Sequence, residues 1–382
     1  MSRRALTSLP VGGGRPPLQL ARLDGGLFST SSISAADPRT GALSANAGEQ
    51  FQAAFDNLQR LLDMAGISPA ELGLVTVNIP DQSYRPHINK PWLALFPDEQ
   101  RRPARKTNQY PLPAGQQVQL QAMGLAGQRP KPLQIPCFAH KDPLPAGVRI
   151  GDLVFSSVIV DQDPATGKQS GDPEVQLRQA FTTLETLVKD AGGSWDDVLH
   201  MYVFLRDRAE QPLLIKTWLE VFPADGNRPA RKTIFYDELK GRTTIAQLQA
   251  VAVIGQGQRK NYEIPNVGHH DPIPMGASIG RLMWSSGMSG QPPGQLDSRG
   301  SLGEQCRWAF THLRSLTEQA GASPDNVGHV TLLVRNYDEE PEIMRHWREL
   351  FPHPDDEPTH HTMALGLSGQ SSSVQVHIVG AL

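Results

Sequence analysis

The sequence predicts an α+β protein that contains three copies of one domain, each with strands and helices in the order ββαβαββ. Three tryptophans mark the repeat: Trp92, Trp218 and Trp347 lie 126 and 129 residues apart, and each stands four residues before a Phe-Pro pair. Ala-Gly pairs recur at the same two intervals, and agreement at unrelated residue types makes a chance repeat improbable. Because each copy is long enough to have its own core, we expect three domains, at residues 1–127, 128–256 and 257–382.

The middle copy shows the elements of one domain most clearly. The run 153–160 is apolar, β-branched and bounded by turn residues, which is typical of a strand that enters a hairpin. Asp172 and Pro173 then provide a helix N-cap and a proline in the first turn, and apolar residues at helical spacing follow as far as Gly192. The pattern continues with a strand, a second helix and a closing strand, predicted over 198–205, 212–222 and 245–253.

The other two copies follow the same course. Their first strands and first helices are predicted over 28–32 and 50–64, and over 283–287 and 304–320. The linkers 126–136 and 255–268 are rich in Pro, Gly and Gln, and we expect them to be exposed. Helices on one face of each sheet leave the other face to be covered. Three linked copies can cover one another by closing into a single-chain pseudotrimer, which leaves three clefts at the domain junctions.

The composition excludes several classes of partner. The 36 basic and 39 acidic residues nearly cancel, so we expect neither nucleic acid nor an anionic membrane as a partner. No signal-peptide apolar region follows Arg3 and Arg4, and no apolar run is long enough to span a bilayer. Two cysteines, Cys137 and Cys306, are too few for a disulfide framework. We therefore expect a cytoplasmic protein that acts on a small molecule, as a monomeric pseudotrimer whose further self-association stays open.

Short motifs that recur in order within each copy resemble a known family. They include Ser-Ser after an apolar strand, which is Ser-Ser-Gly at 285–287, Phe-Pro after the second helix, and Pro-Ala-Arg at 103–105 and 229–231. On these motifs the chain resembles the RidA/YjgF family of reactive-intermediate imine deaminases, in three tandem copies. The resemblance implies a chorismate-mutase-like fold whose subunits form a trimer with ligand clefts between them, and it implies no cofactor.

The resemblance also implies substrate-binding residues. In the family, the arginine of Pro-Ala-Arg grips the substrate carboxylate, because a planar guanidinium fits a carboxylate with two hydrogen bonds. That role passes to Arg105 and Arg231. The serines of the strand end and the threonines in place of a family cysteine complete the expected substrate-binding set: Ser31, Ser157, Ser286, Thr107 and Thr233. Alternatively, the arginines only tie one domain to the next through salt bridges.

The catalytic group of the family is changed here. Family deaminases carry a glutamate on the last strand that activates water, whereas this chain has Gln119, Gln247 and Gln375. An amide can orient a water molecule but cannot take its proton. The third copy departs further, because His360 stands at the arginine position. His377 lies two residues beyond Gln375 on the same strand face, and we expect it near His360.

Histidines are therefore candidate acids and bases. His140 precedes the second copy, and His269 and His270 precede the third, so all three could lie over a cleft. Together with His360 and His377 they could move protons, because imidazole titrates near neutrality. Three readings stay open: proton transfer, a metal site that no ligand spacing supports, and ordinary hydrogen-bonded histidines in a decayed third site. The neighbouring Asp-Pro pairs, Asp142-Pro143 and Asp271-Pro272, are interpreted as turn signals.

These residues favour an enzyme that hydrolyses a C–N bond. The expected substrate is a small carboxylate with an imine or enamine group, bound at an inter-domain cleft and deaminated by water. One alternative is a chorismatase-like enzyme that acts on a cyclic carboxylate. The other is a metabolite-binding protein without catalysis, which kept the arginines and lost the glutamates.

Overall fold

A computed structural model describes residues 3–12, 17–23, 25–136, 138, 140–163, 165–365 and 372–382, so Cys137 lies outside the described residues. These residues form three sheets of seven strands each, with two α-helices accompanying each sheet. Each sheet is mixed: one pair of strands is parallel and the other pairs are antiparallel. The α+β class and the three repeated domains are confirmed. The boundaries after residues 127 and 256 stay predictions.

The first sheet has the strand order β1-β2-β3-β7-β5-β6, with β4 beside β7. Its strands are β1 (Arg3–Leu9), β2 (Leu18–Leu23), β3 (Leu27–Thr30), β4 (Ile33–Ser34), β5 (Leu72–Ile79), β6 (Ala104–Gln109) and β7 (Gln119–Leu125). The helices are α1 (Ala47–Ala65), which follows β4, and α2 (Asn89–Leu95), which connects β5 to β6.

The second and third sheets repeat this topology. The second contains β8 (Lys131–Leu133), β9 (Gly147–Ile150), β10 (Leu153–Ser156), β11 (Ile159–Val160), β12 (Val198–Leu205), β13 (Ala230–Phe235) and β14 (Ala246–Val253), with helices α3 (Pro173–Asp190) and α4 (Gln211–Val221). The third contains β15 (Lys260–Tyr262), β16 (Gly276–Ile279), β17 (Leu282–Ser285), β18 (Met288–Ser289), β19 (Val327–Val334), β20 (Thr359–Ala364) and β21 (Val374–Ala381), with helices α5 (Leu302–Gln319) and α6 (Glu340–Leu350).

The local signals in the middle copy have the expected structural causes. Asp172 accepts hydrogen bonds from two first-turn N–H groups of α3, and Pro173 begins the helix. Gly192 takes a φ of 84° just beyond the helix end, a conformation that suits a residue without Cβ. The strand predicted over 198–205 is β12. The run 153–160 is divided into β10 and β11, because Ser157 turns away and bonds its N–H to Ala146 O.

Two short strands lie in segments that were predicted to be exposed linkers. β8 and β15 add to the outer edges of the second and third sheets, where they pair with β9 and β16. Their sequences, Lys-Pro-Leu and Lys-Asn-Tyr, have no apolar alternation that could indicate a strand. They become strands because a neighbouring edge offers unpaired main-chain groups.

Bonds between consecutive domains close the three domains into a ring. Each junction joins the strand of the Pro-Ala-Arg motif, or its counterpart in the third copy, to the next domain. The bonds are Arg105 N to Ser157 Oγ (3.0 Å), Arg231 N to Ser286 Oγ (3.0 Å) and Ser32 N to His360 O (3.1 Å). Apolar residues of all three sheets meet in one central cluster, which includes Leu27, Phe155 and Trp284. The predicted single-chain pseudotrimer is therefore the architecture of this chain.

Helices long and apolar enough to cross a bilayer are absent from the described part of the chain.

Candidate active site between the second and third domains

The ring has three junctions, and each contains a cleft that we name by the residue at the motif position. The Arg105 cleft joins the first domain to the second, the Arg231 cleft joins the second to the third, and the His360 cleft joins the third to the first. In each cleft, the last-strand glutamine belongs to the domain opposite the motif residue. The glutamine of the Arg231 cleft is therefore Gln375, and Gln247 and Gln119 belong to the Arg105 and His360 clefts.

Arg105 is largely enclosed, although its Nη2 makes no hydrogen bond among the described residues and meets Asp142 only as an ion pair. Its side chain is 1% exposed, Nη2 lies 3.0 Å from Asp142 Oδ2, and Nη1 donates to Asn89 Oδ1 at 3.1 Å. The guanidinium lies over the Trp92 ring, 4.8 Å from its centroid. Arg85 adds a second cation, 3.4 Å from the same Asp142 oxygen. The charge of Arg105 is thus already neutralised by the second domain.

Arg231 is bound less completely. Its buried guanidinium lies 4.5 Å from the centroid of the Trp218 ring, and Nη2 pairs with Asp271 of the third domain. Nε and Nη1 have no hydrogen-bond partner among the described residues. Burial lowers the pKa of Arg231 to about 10, although the charge of Asp271 opposes the shift, so the group is cationic at neutral pH. Two buried N–H donors of Arg231 are therefore without a hydrogen-bond partner in this structure.

A cavity of about 220 Å³ opens beside these donors. Other polar atoms that line it also have no hydrogen-bond partner among the described residues, namely Thr233 Oγ1, His269 Nε2 and Gln291 Oε1. Buried polar atoms without partners are costly, and several around one cavity are typical of a site that a polar ligand completes.

Two lysines that the sequence interpretation missed lie beside the arginines. Lys106 donates to Gln247 Oε1 at 2.8 Å, and Lys232 donates to Gln375 Oε1. Both lysines are almost fully buried, at 2% and 7% exposed. Burial lowers the pKa of Lys106 to about 7 and that of Lys232 to about 8. The glutamine in place of the family glutamate is thus bonded to an amine with an unusually low pKa.

The loop histidines differ in their position relative to the clefts. Burial, together with the positive charge of Arg105 for His140 and of Lys232 for His269, lowers the pKa values of these two histidines to about 4. Both imidazoles are therefore neutral at pH 7, and each has a buried Nε2 without a partner among the described residues. His270 is exposed at the rim, with Nε2 3.3 Å from Asp297. Their proton-transfer roles stay predictions.

The His360 cleft differs in charge from the other two clefts. It holds a cavity of about 210 Å³, and none of the described residues that line it is Lys or Arg. His360 packs on Trp347 with ring centroids 5.0 Å apart, and burial lowers its pKa, so it is neutral. Glu340 lines the same cavity and accepts from Thr362 at 3.0 Å. A carboxylate ligand would meet a negative charge here without a compensating positive one.

His377 does not lie in the His360 cleft, which corrects the expectation from the strand pattern. Its Nε2 lies 3.0 Å from His200 Nε2, and its Nδ1 lies 3.2 Å from Tyr202 OH, both in the second domain. The face that His377 shares with Gln375 turns toward the second domain, because each last strand faces the preceding copy. His361 is separate again, with bonds to Ser32 Oγ at 2.5 Å and Tyr110 OH at 2.7 Å.

The predicted serines bond the main chain in this structure. Ser157 and Ser286 accept from the peptide nitrogens of Arg105 and Arg231, and they donate to Pro145 O at 2.8 Å and Pro274 O at 2.7 Å. Ser31 Oγ accepts from Gln19 N at 2.8 Å. Thr107 is buried on β6, two residues after Arg105. Contact of these residues with a substrate stays a prediction.

Asp142 and Asp271 have a larger role than turn formation. Each forms the inter-domain ion pair with the arginine, and the following proline accepts from the tryptophan Nε1, at 3.0 Å for Pro143 and 3.2 Å for Pro272. For Asp142, burial raises the pKa, but the Asn89 hydrogen bond and the charges of Arg105 and Arg85 lower it overall. A sequence signal for this role was present. The Asp-Pro pair occurs before copies two and three, and each pair meets the arginine of the preceding copy.

Within the described ranges, no three His, Cys, Asp or Glu side chains are arranged to hold a metal ion.

Known proteins are similar to parts of this chain. A family model described as Endoribonuclease L-PSP matches residues 139–254. A RutC family protein of Pyrococcus abyssi is 25% identical over 121 residues, which cover 30% of this chain and 93% of that protein. The 3-aminoacrylate deaminase RutC of Acinetobacter baylyi is 39% identical over 61 residues, covering 16% and 47%.

Solved structures also match single domains of the chain. The YjgF gene product from E. coli is 26% identical, covers 32% of this chain and 98% of its own, and has a TM-score of 0.29. RidA from an Antarctic Psychrobacter is 21% identical, covers 32% and 94%, and has a TM-score of 0.29.

Proposed function

Because the chain belongs to the RidA/YjgF family, we propose that it hydrolyses the C–N bond of a small carboxylate that carries an imine or enamine group, and that the Arg231 cleft is its working site. One observation carries the proposal: Arg231, which has two unpartnered donors, lines a cavity together with other residues that have unpartnered polar atoms. A relative that is a 3-aminoacrylate deaminase supports the substrate class.

The carboxylate would bind first. The free Nε and Nη1 of Arg231 can donate to it, and Thr233 Oγ1 can add a third hydrogen bond. Charge-assisted bonds of this kind in a buried site are stronger than neutral ones. The carboxylate competes with Asp271 for the guanidinium, so binding weakens the ion pair between the second and third domains.

Water addition then needs a proton acceptor and a donor for the leaving nitrogen. Gln375 can orient water through its amide but cannot accept a proton. His269 is neutral, and its Nε2 can accept or donate according to the tautomer. The amine of Lys232, with a pKa of about 8, is the stronger base of the two. Net reaction of an imino acid with water gives the oxo acid and ammonia.

The test is ammonia release from 2-iminopropionate and from 3-aminoacrylate, both generated in situ. We expect Arg231→Ala to lower the rate by about 100-fold, because a mispositioned substrate loses about this much. Thr233→Val keeps the side-chain shape and should lower it less. Arg105→Ala tests the Arg105 cleft in the same assay. The rates of the two arginine variants are compared only where their melting temperatures are similar. Turnover that survives Arg231→Ala in a folded protein contradicts the proposal, and saturable binding without turnover favours a metabolite-binding protein.

A further inference from the structure

The buried lysine beside Arg231 is not part of the family's implied site. We propose that Lys232 is a covalent nucleophile, whose amine forms a Schiff base with the imino or oxo carbon of a small carboxylate held in the Arg231 cleft. The reaction of Lys232 with an imino acid rests on the proposed function. Its reaction with an oxo acid concerns the amine alone and can be tested without any deamination.

The position of Lys232 supports this role. It stands on β13 between Arg231 and Thr233, and all three line the same cavity. Its amine donates to Gln375 Oε1, and it forms no ion pair with a carboxylate anywhere in the described ranges. A neutral amide partner leaves the nitrogen lone pair accessible once the amine is deprotonated.

Gly287 makes room for the amine. A Cβ at position 287 would lie 3.1 Å from Lys232 Cδ, 3.3 Å from its Nζ and 3.2 Å from Gln375 Oε1. These distances are shorter than ordinary packing contacts, so a side chain at position 287 would push the lysine side chain aside. Gly287 of the third domain thus leaves space for the amine of the second.

The protonation state is suitable for nucleophilic attack. Burial lowers the pKa of Lys232 to about 8, and the charge of Asp271 opposes only part of that shift. A usable fraction of free amine is thus present near neutrality, whereas an exposed lysine is almost entirely protonated. Desolvated lysines beside a second cation are a recurring class of Schiff-base nucleophile.

The chemistry balances without any other reagent than water. The Nζ lone pair attacks the carbon of the protonated imine, and the C=N π electrons move to the substrate nitrogen. A proton passes from Nζ to that nitrogen, the C–N bond breaks, and ammonia leaves as the lysine C=N bond forms. Water then adds to this carbon and expels the amine, which releases the oxo acid and restores Lys232.

Lys106 is the matched comparison within the same chain. It occupies the equivalent position and donates to the equivalent glutamine, and its pKa is lowered even further. Its amine, however, lies 4.1 Å from the centroid of the Phe204 ring and 5.0 Å from that of Tyr236. The repeat places Leu333 and Leu365 at these two positions in the third domain. The two aromatic rings cover the amine, so we expect a substrate carbon not to reach it and Lys106 to be unreactive.

The experiment is reductive trapping of the full-length protein with pyruvate and sodium cyanoborohydride, followed by intact mass and peptide mapping. We expect one adduct per chain, on Lys232, with a yield that rises as pH increases through about 8. Lys232→Met and Lys232→Arg should lose the adduct, and Lys106→Met should keep it. The melting temperature of each variant is measured alongside, so that an unfolded variant is not mistaken for an unreactive one.

The results separate the two proposals. No adduct in the wild type, or adducts spread over surface lysines and unchanged in Lys232→Met, overturns the nucleophile. Ammonia release that persists in a folded Lys232→Met protein also overturns it, while the proposed function stands with direct attack by water. An adduct on Lys232 without any ammonia release from imino acids upholds the reactive amine and overturns the proposed deaminase.

Discussion

Replacement of Asp271 by Asn tests whether the inter-domain ion pair and the substrate compete for one guanidinium. The substitution removes the negative charge and keeps the shape of the side chain. Arg231, whose side chain is 0% exposed, then lacks its carboxylate partner. We expect two effects of opposite sign: a less stable protein and a stronger affinity for small carboxylates.

The size of each effect follows from the burial of the pair. Loss of one partner of a buried ion pair costs about 3–5 kcal/mol, and we expect the lower end because the Asn oxygen still accepts a hydrogen bond. A loss of about 3 kcal/mol lowers the melting temperature by about 4 °C if the 382-residue chain unfolds as one unit, because its unfolding entropy is then about 0.8 kcal/mol/K. The bound carboxylate no longer meets the negative charge of Asp271, and we expect pyruvate affinity to rise about tenfold, which corresponds to about 1.4 kcal/mol.

Thermal unfolding with and without pyruvate measures both effects. Pyruvate should raise the melting temperature of Asp271→Asn more than that of the wild type, because ligand bound to the native state adds stability. The control is Asp297→Asn, which removes a carboxylate from the rim of the same cavity, where Asp297 is 58% exposed. Exposed pairs contribute about 0–1 kcal/mol, so this variant should melt like the wild type. An Asp271→Asn protein with unchanged stability and no gain from pyruvate would refute the competition.

Two further predictions concern the junctions. Ser286→Ala should cost about 1–3 kcal/mol, because the buried N–H of Arg231 loses its acceptor, and chemical denaturation should show a similar loss for Ser157→Ala. Burial lowers the pKa values of His361 and His377 to about 3, below about 6.5 for an unfolded histidine, so the unfolded chain binds more protons between these values. The stability that these neutral histidines contribute is thus fully present above about pH 6.5 and falls as the pH decreases toward about 3, by about 1.4 kcal/mol per pH unit for each histidine. Gln at either position should make this decline less steep, as measured by urea unfolding from about pH 7 to about pH 4.

The repeat and most of its elements could be predicted because their causes are local. Asp172 and Pro173 begin α3 by bonds within four residues, and the apolar spacing of 198–205 needs only one buried face. The burial of the three tryptophans could be predicted from the same local pattern, because each lies in a helix that ends at a Phe-Pro pair. The short edge strands could not be predicted, because their formation depends on a neighbouring strand.

The site was less predictable because it forms only when the ring closes. Asp271 looks like a turn residue until the second domain brings Arg231 to it. Lys232 alternates with Arg231 and Thr233 along β13, and from the sequence alone it would be assigned to a solvent-facing position. The third domain covers that face, so the lysine is buried and its pKa is lowered. His377 was misplaced for the same reason, since the sequence does not say which neighbour a strand face meets.

Covalent linkage of the three copies explains how the clefts can differ. In a homotrimer, one substitution changes all three clefts at once, whereas here each junction can change separately. At the Arg105 junction, Arg85 and Asn89 add contacts to Asp142, which suits a joint that holds two domains together. At the His360 junction, the described residues that line the cavity include no Lys or Arg. At the Arg231 junction, two unpartnered guanidinium donors, a cavity and a buried amine coincide. The three junctions of one ring can therefore take different roles, and the Arg231 junction has the groups that a carboxylate ligand needs.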